Sequence, residues 1–159
     1  ACAAIAALSV AGLPSDRFVF EGFLPPKAAA RRSRLQELAG DARTLIFYES
    51  SHRVAESLAD MRDVFGADRE AVLARELTKM FETVLGEPLA ELAARVVSDP
   101  DQQRGEHVIL VAGRGEEVDA KLVEGRRVFA ILREELPPAK AAKMAAAISG
   151  APRKLLYEG

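Results

Sequence analysis

Two polar segments of this chain combine acidic and basic side chains, and each follows a short apolar run typical of a buried strand. The first segment carries Glu49 and His52, and the second carries Glu76 and Lys79. Polar loops at the carboxyl ends of buried strands are where open α/β sheets form their ligand crevices. Acids and bases that act together lie within hydrogen-bond reach. We therefore expect these two segments to contribute to one site, although each residue alone could equally cap a helix or solvate a turn.

The composition argues against several other classes of site. The 159 residues carry a net charge of −2, so the chain as a whole makes no electrostatic case for nucleic acid. The only cysteine is Cys2, and His52 and His107 lie far apart, so we expect no metal site. Gly113 and Gly115 lack the third glycine of a dinucleotide-binding loop. No apolar run approaches the roughly 18 residues of a membrane span, so we expect a cytoplasmic protein without a membrane partner.

The elements that must position these residues alternate between helix and strand. Apolar residues at helical spacing, ended by glycine or begun by proline, predict four helices, and apolar β-rich runs predict five strands. The sequence therefore predicts an α/β domain with a mixed sheet of about five strands and helices packed on it. The predicted helices cover residues 3–11, 27–39, 54–65 and a segment starting at Pro88, and the predicted strands cover 17–21, 43–48, 71–75, 81–85 and 107–112.

We also expect three of the predicted strands to end at the same edge of the sheet. Tyr48 and Glu49, Glu76 and Leu77, and Gly113 would then converge there, since each follows a strand.

The character of the chain changes after residue 115. An acidic connector leads to predicted helices at 121–135 and 139–149, and residues 151–157 begin a further helix. Two helices joined by a Gly-containing turn resemble a helix-turn-helix. Residues 119–159 hold eight Lys/Arg against five Asp/Glu, which suits either RNA contact or an ordinary solvated helical tail. We therefore divide the chain into an α/β domain, 1–115, and a helical extension, 116–159.

Several motifs in order resemble a known superfamily. Residues 6–18 and 21–25 resemble the middle of the tetrapyrrole methylase-like superfamily. Residues 47–53, 75–82 and 105–108 are similar to a narrower family within it, the methyltransferases of small-subunit ribosomal RNA. The resemblance covers nearly the whole chain, including the helical extension.

This resemblance implies a class III methyltransferase-like carboxyl-terminal domain that uses S-adenosylmethionine. The implied reaction is methylation of the ribose 2′-hydroxyl of a cytidine in small-subunit ribosomal RNA, within the 30S subunit. We also expect a homodimer, because an uncovered apolar patch favours self-association. The family's amino-terminal domain carries much of the cofactor site and would precede Ala1. We therefore expect this chain to be the carboxyl-terminal portion of the enzyme, able to fold but unable to bind the cofactor tightly or transfer a methyl group by itself.

The resemblance also implies roles for individual residues. Candidates for the base that takes the ribose proton are Glu76, Lys79 and His52. Residues placed near the cofactor are Ala7, Leu8, Tyr48, Glu49, Leu77, Ala112 and Gly113. Candidates for contacts with RNA phosphates are Arg31, Arg32, Arg34, Lys140, Lys143, Arg153 and Lys154.

Two other interpretations are compatible with the same residues. The chain could be a non-catalytic module for dimerisation and RNA docking. It could also belong to a methylase of the same superfamily that acts on a tetrapyrrole or on a protein side chain.

Overall fold

Residues 2–157 are described by a computed structural model, except for the side chains of residues 116–119. The chain divides into two units, residues 1–113 and residues 114–159, which are considered separately. The helices of the first unit are α1 (Ala3–Ala11), α2 (Ala28–Leu38), α3 (Val54–Phe65) and α4 (Leu89–Ser98), with a 3₁₀ turn at Pro100–Gln103. Its strands are β1 (Phe18–Phe23), β2 (Thr44–Glu49), β3 (Glu70–Arg75), β4 (Thr83–Pro88) and β5 (His107–Val111).

The five strands form one mixed sheet in the order β1-β2-β5-β3-β4. β1 and β2 are parallel, whereas β5 is antiparallel to both of its neighbours, β2 and β3. β2 and β3 therefore run in the same direction, and their carboxyl ends lie at the same edge as the start of β5. At that edge Glu49 pairs with His107, and His107 pairs with Arg75.

One face of the sheet packs against α2, α3 and α4. Alternate strand residues point into this core because side chains of a strand alternate between the two faces. α4 shows why these helices form, since Leu89, Leu92, Ala93 and Val96 recur at helical spacing and all are buried. The strand residues in this core include Leu45, Phe47, Leu73, Ile109 and Val111.

The opposite face carries a smaller apolar cluster that includes α1. Ala4, Ala7 and Leu8 of this helix pack with strand residues Ile46, Val72, Ala74, Val108 and Leu110. Towards β1 the same face carries exposed aromatic rings. Phe20 is 50% exposed and Phe23 is 61% exposed, and both rings make edge contacts with Tyr48. The two faces are thus covered to very different extents within the described residues.

The second unit consists of α5 (Glu116–Leu132), α6 (Pro138–Ser149) and α7 (Arg153–Leu156). Its core contains Leu122, Val128, Ala145, Ala151 and Leu156. Gly150 ends α6 in the left-handed conformation that glycine adopts without steric cost.

The structure confirms the predicted mixed sheet, including strands over 44–48 and 71–75 and the run from 107. One element lies elsewhere than predicted. The strand expected at 81–85 begins at Thr83, because residues 76–82 form turns in which Lys79 N donates to the carbonyl of Glu76, and Glu82 N to that of Lys79. The segment between α4 and β5 contains the 3₁₀ turn.

Gly125 in α5 tests the packing of the second unit. A Cβ atom there would lie 2.7 Å from Ser149 Oγ and 2.8 Å from Ala151 Cβ. Alanine normally stabilises a helix interior relative to glycine by up to about 1 kcal/mol. At this position the cost of overpacking should exceed the gain in helix propensity. We therefore expect Gly125→Ala to lower the free energy of unfolding by about 1–3 kcal/mol in urea titrations followed by circular dichroism. Val123→Ala, at an exposed position of the same helix, is the control, and a more stable Gly125→Ala protein would contradict this close packing.

Candidate functional site

Two turns lie at the shared carboxyl edge of β2 and β3. The first covers residues 50–53 and leads into α3, and the second covers residues 76–82 and leads into β4. The sheet therefore brings the segments of Glu49 and His52 and of Glu76 and Lys79 to one edge, as the sequence predicted.

The carboxylate of Glu49 is buried and committed to the first turn. It accepts a hydrogen bond from Ser57 Oγ at 2.7 Å and from the backbone N–H of Ser50 at 2.8 Å. Arg53 Nε lies 3.3 Å from the same carboxylate. Glu49 thus fixes the start of α3 against the end of β2, and any contact with a cofactor there would involve the backbone rather than this side chain.

Glu76 is held in place by the segment that precedes β5. Its Oε1 accepts a hydrogen bond from Glu106 N at 2.6 Å, and its own N–H donates to the carbonyl of Glu106 at 3.0 Å. The hydrogen bond from Glu106 N lowers the pKa of the Glu76 carboxyl, with a further contribution from the Lys79 charge. Glu76 and Thr78 both have positive φ, 52° and 64°, a conformation that is unusual for residues with a side chain. The Glu76 contacts support this strained turn.

Lys79 completes a small ion-pair cluster at the same turn. Its Nζ lies 3.0 Å from Glu106 Oε2 and 3.4 Å from Glu76 Oε2. The hydrogen bond to Glu106 raises the pKa of Lys79. A carboxylate with a lowered pKa is a weak base, and an amine with a raised pKa is already protonated near neutral pH, so neither group accepts a proton readily. Of the three predicted base candidates, the exposed His52 is the one outside this cluster.

His107 is a buried group at this edge that the sequence did not single out as a site residue. Its ring is 2% exposed, and Nε2 lies 2.6 Å from the carbonyl of Gln102. Nδ1 is buried and has no hydrogen-bond partner among the described residues. Burial lowers the pKa of His107, so the ring is held neutral. The sequence feature that could have pointed to His107 is its place as the first residue of β5, whose other residues are all apolar.

Four of the predicted cofactor residues belong to one apolar cluster. Ala7 and Leu8 of α1 are buried in it, and Tyr48 and Leu77 are half-buried against it. The hydroxyl of Tyr48 accepts a hydrogen bond from Ala4 N at 3.3 Å, which ties α1 to β2. Leu8 also lines a cavity of about 500 Å³ together with Ile5, Ser9, Gly12, Leu13 and Ser15.

Ala112 and Gly113 do not join this group. Because β5 is antiparallel to β2 and β3, its carboxyl end lies at the opposite edge, where Ala112 N donates to the carbonyl of Glu70. The expectation that Gly113 converges with Tyr48 and Glu76 is therefore wrong. Gly113 instead permits a close approach, since a Cβ atom there would lie 1.9 Å from the carbonyl oxygen of Ala42.

The three arginines of α2 differ in their availability to RNA. Arg31 is 2% exposed, and its Nε donates to Asp60 at 2.7 Å, which is at odds with the expected phosphate contact. Arg32 is half-exposed but also donates to Asp60, at 2.8 Å, and Arg34 pairs with Glu21. The predicted cations of the second unit are all exposed: Lys140, Lys143, Arg153 and Lys154.

Two further features of the described residues bear on the class of site. No group of three or more His, Cys, Asp or Glu side chains within them could hold a metal ion. Over the same part of the chain, no helix combines the length and the apolar character needed to cross a membrane.

The fold and the sequence together define the class of protein. Residues 1–93 match the family model for tetrapyrrole (corrin/porphyrin) methylases, and the chain belongs to this family. Two solved structures share the fold over 69% of this chain. They are the methyltransferase CobJ, with a TM-score of 0.51, 20% identity and 46% of that chain covered, and the cobalt precorrin-4 methyltransferase CbiF, with a TM-score of 0.51, 16% identity and 48% covered.

The chain is also similar to a narrower group of proteins, the one that the sequence motifs resembled. Residues 119–158 match the model for the RsmI C-terminal HTH domain. Three relatives named "Ribosomal RNA small subunit methyltransferase I" match 99% of this chain: that of Xylella fastidiosa strain 9a5c at 61% identity over 157 residues, that of Pseudomonas aeruginosa at 62% over 161, and that of Escherichia coli O157:H7 at 49% over 157. The chain spans 58%, 56% and 55% of these relatives, respectively.

Gly105 provides a test of the Glu76 contacts. It has a φ of +88°, and a Cβ atom there would lie 2.1 Å from Glu76 Oε1. We expect Gly105→Ala to destabilise the protein by at least about 1–2 kcal/mol, the cost of a left-handed non-glycine residue, plus the cost of displacing Glu76. In a Glu76→Ala background the second cost should disappear, so the double-mutant cycle measured by urea unfolding should show coupling. Additive effects would mean that Gly105 does not accommodate Glu76.

His107 makes the stability of the fold depend on pH. Its folded-state pKa lies below the ordinary value of 6.5, so the unfolded chain takes up a proton at a higher pH than the folded chain does. Stability should therefore be retained above pH 6.5 and lost as pH falls from there towards the folded-state pKa. We expect urea unfolding between pH 7.5 and 5 to show a shallower loss for His107→Gln than for wild type. His52→Gln controls for the removal of one histidine, and an unchanged slope in His107→Gln would exclude this explanation.

Proposed function

We propose that this chain is part of an S-adenosylmethionine-dependent methyltransferase acting on the ribose 2′-hydroxyl of a cytidine in small-subunit ribosomal RNA. The observation that carries the proposal is the match of 99% of the chain, at 61% identity, to a relative named as a small-subunit ribosomal RNA methyltransferase. Because the chain spans little more than half of that relative, the proposed reaction belongs to a longer protein.

The cofactor would bind beside the cluster of Ala7, Leu8, Tyr48 and Leu77. The two half-buried members, Tyr48 and Leu77, offer apolar and aromatic surface suited to the flat adenine ring. In the adjoining turn, the N–H groups of Leu77 and Thr78 donate to no backbone carbonyl among the described residues. These two donors fit the polar groups of a ligand lying at the carboxyl edge of the sheet. The cofactor would supply an electrophilic methyl group on a sulfonium, whose sulfur would depart as a neutral thioether.

The chain's own contribution to the reaction would be alignment and removal of a proton. A hydroxyl aligned with the methyl group reacts far faster than one that must diffuse into place. The Glu76–Lys79–Glu106 cluster would hold the turn, because the shifted pKa values of Glu76 and Lys79 disfavour them as bases. His52 is then the candidate base of this chain, since it is exposed at the same edge.

RNA docking would involve the second unit. The exposed side chains of Lys140, Lys143, Arg153 and Lys154 can each neutralise a phosphate. The match of residues 119–158 to a helix-turn-helix model supports a nucleic-acid contact over a merely solvated tail. A homodimer would be consistent with the sparsely covered face of the sheet and its exposed Phe20 and Phe23. A tetrapyrrole substrate has weaker support, because the cobalamin-related neighbours share 16–20% identity and indicate the fold alone.

The reaction can be tested with small ribosomal subunits and tritiated S-adenosylmethionine. We expect the 159-residue chain alone to show no tight cofactor binding by calorimetry and no methyl transfer. The chain joined to the remaining part of the Xylella relative should transfer one methyl group to a cytidine. A 2′-O-methyl group blocks alkaline cleavage of the next phosphodiester bond, so the labelled site should resist hydrolysis. A label on a base, or no label on RNA, would refute the proposed reaction.

His52→Ala in the joined protein should lower the methyl-transfer rate about a hundredfold, with a smaller change in KM for the ribosomal subunit. Asp63→Asn, exposed near the far end of α3, is the matched control and should leave both values unchanged. An unaltered rate for His52→Ala would assign the base to another residue while leaving the proposed reaction intact.

A further inference from the structure

A cavity of about 390 Å³ opens at the carboxyl edge of β3, on the side of the 3₁₀ turn. Its volume lies in the range of small-molecule binding sites. It is lined by Arg75, Glu76, Phe81, Asp101, Arg104 and Gly105. Only Glu76 among these residues has been assigned a part in the proposed reaction, and that part is to hold the turn.

The turn beside the cavity displays large apolar side chains to solvent. Phe81 is 72% exposed and Met80 is 90% exposed. The strained conformations of Glu76 and Thr78 position this turn, and the contacts of Glu76 with Glu106 support the strain. Strain of this kind persists only where surrounding contacts enforce it, and it is common at ligand-binding sites. An exposed aromatic ring on a supported turn is a platform on which an unpaired base can stack.

The charged side chains around the cavity are balanced and partly unsatisfied. Asp101 and Arg104 pair loosely, at 3.6 Å, and both remain more than 70% exposed. Arg75 donates to the carbonyl of Arg104 at 3.4 Å, while its Nε is buried without a partner among the described residues. Two cations and two carboxylates suit a ligand with a single phosphate and hydrogen-bond donors better than a polyphosphate. A carboxylate accepts from the exocyclic amino group of cytosine, which uracil lacks.

We propose that this cavity binds one unpaired nucleotide of the RNA substrate whose base carries an exocyclic amino group, as cytosine does. Phe81 stacks on the base, the Asp101 carboxylate accepts from its amino group, and Arg104 contacts the phosphate. The choice of RNA as the source of this nucleotide rests on the proposed function. The site is separate from the Tyr48–Leu77 cluster. Arg75 pairs with His107, which also pairs with Glu49, and these three residues lie on the other face of the sheet.

The test measures binding of fluorescein-labelled hexacytidylate and hexauridylate to the 159-residue chain by fluorescence anisotropy. We expect wild type to bind hexacytidylate more tightly. Phe81→Ala should weaken binding of both RNAs at least about fivefold, from the loss of one stacked base. Asp101→Asn should abolish the preference for hexacytidylate. Arg104→Ala should weaken both RNAs and reduce the dependence on salt by about one phosphate contact.

Matched controls lie at the opposite edge of the sheet. Arg43 is a half-exposed arginine that pairs with Asp41 at 2.8 Å, and Phe18 is an exposed ring at the start of β1. Arg43→Ala and Phe18→Ala should bind both RNAs as wild type does. Circular dichroism verifies that each variant is folded, and amide chemical shifts during titration of wild type with cytidine 5′-monophosphate should change at Arg75, Arg104 and Gly105.

The outcomes separate this proposal from the proposed function. If wild type binds neither RNA, or if the cavity variants bind as the controls do, the cavity is not a nucleotide site, whatever the methyl-transfer assay gives. If the cavity variants lose binding as expected but the joined protein does not methylate ribosomal RNA, the nucleotide site stands and the proposed reaction fails.

Discussion

The antiparallel pairing of β5 between β2 and β3 is the constraint on which the rest of the first unit depends. Each neighbour must run opposite to β5, so β2 and β3 run parallel although no direct hydrogen bonds join them. This arrangement brings the turns that carry His52 and Glu76 to one edge. The same pairing sends Gly113 to the other edge. A single choice of strand direction therefore determines which polar segments can act together.

Two acidic residues at this edge serve mainly to hold the backbone. Glu49 is saturated by Ser57, Ser50 and Arg53, and Glu76 by Glu106 and Lys79. Leaving either set of donors without its acceptor would be costly, more so for the buried Glu49. Rigid turns are what a site requires if it depends on alignment rather than on an unusually strong base. The contacts of these two carboxylates therefore fix the backbone of the two turns.

The unequal covering of the sheet determines where ligands can lie. Three helices bury one face, whereas the apolar cluster on the other face includes only α1 among the described helices. Tyr48 and Leu77 remain half-buried for this reason. The cavity beside Arg75 and Arg104 lies at the end of the well-covered face. The described residues therefore offer apolar surface on one face of the sheet and a charged cavity at the end of the other face, at the same edge.

The sequence by itself determined the positions of the elements and the family. Apolar periodicity and the placement of glycine and proline are local properties, and they located α1, α3, β2 and β3 to within a residue or two. Short motifs in order identified the methylase family before any coordinates.

The tertiary structure decided strand direction and the fate of charged side chains. Arg31 belongs to a basic segment of α2 that is typical of a solvated helix face. Packing against α3 nevertheless buries its side chain, which donates a hydrogen bond to Asp60. The antiparallel direction of β5 depends on which distant strands pair with it, as does the partner of each carboxylate. Hydrogen bonds between segments tens of residues apart leave no trace in local periodicity, so only the folded chain separates the residues that hold the site from those free to act in it.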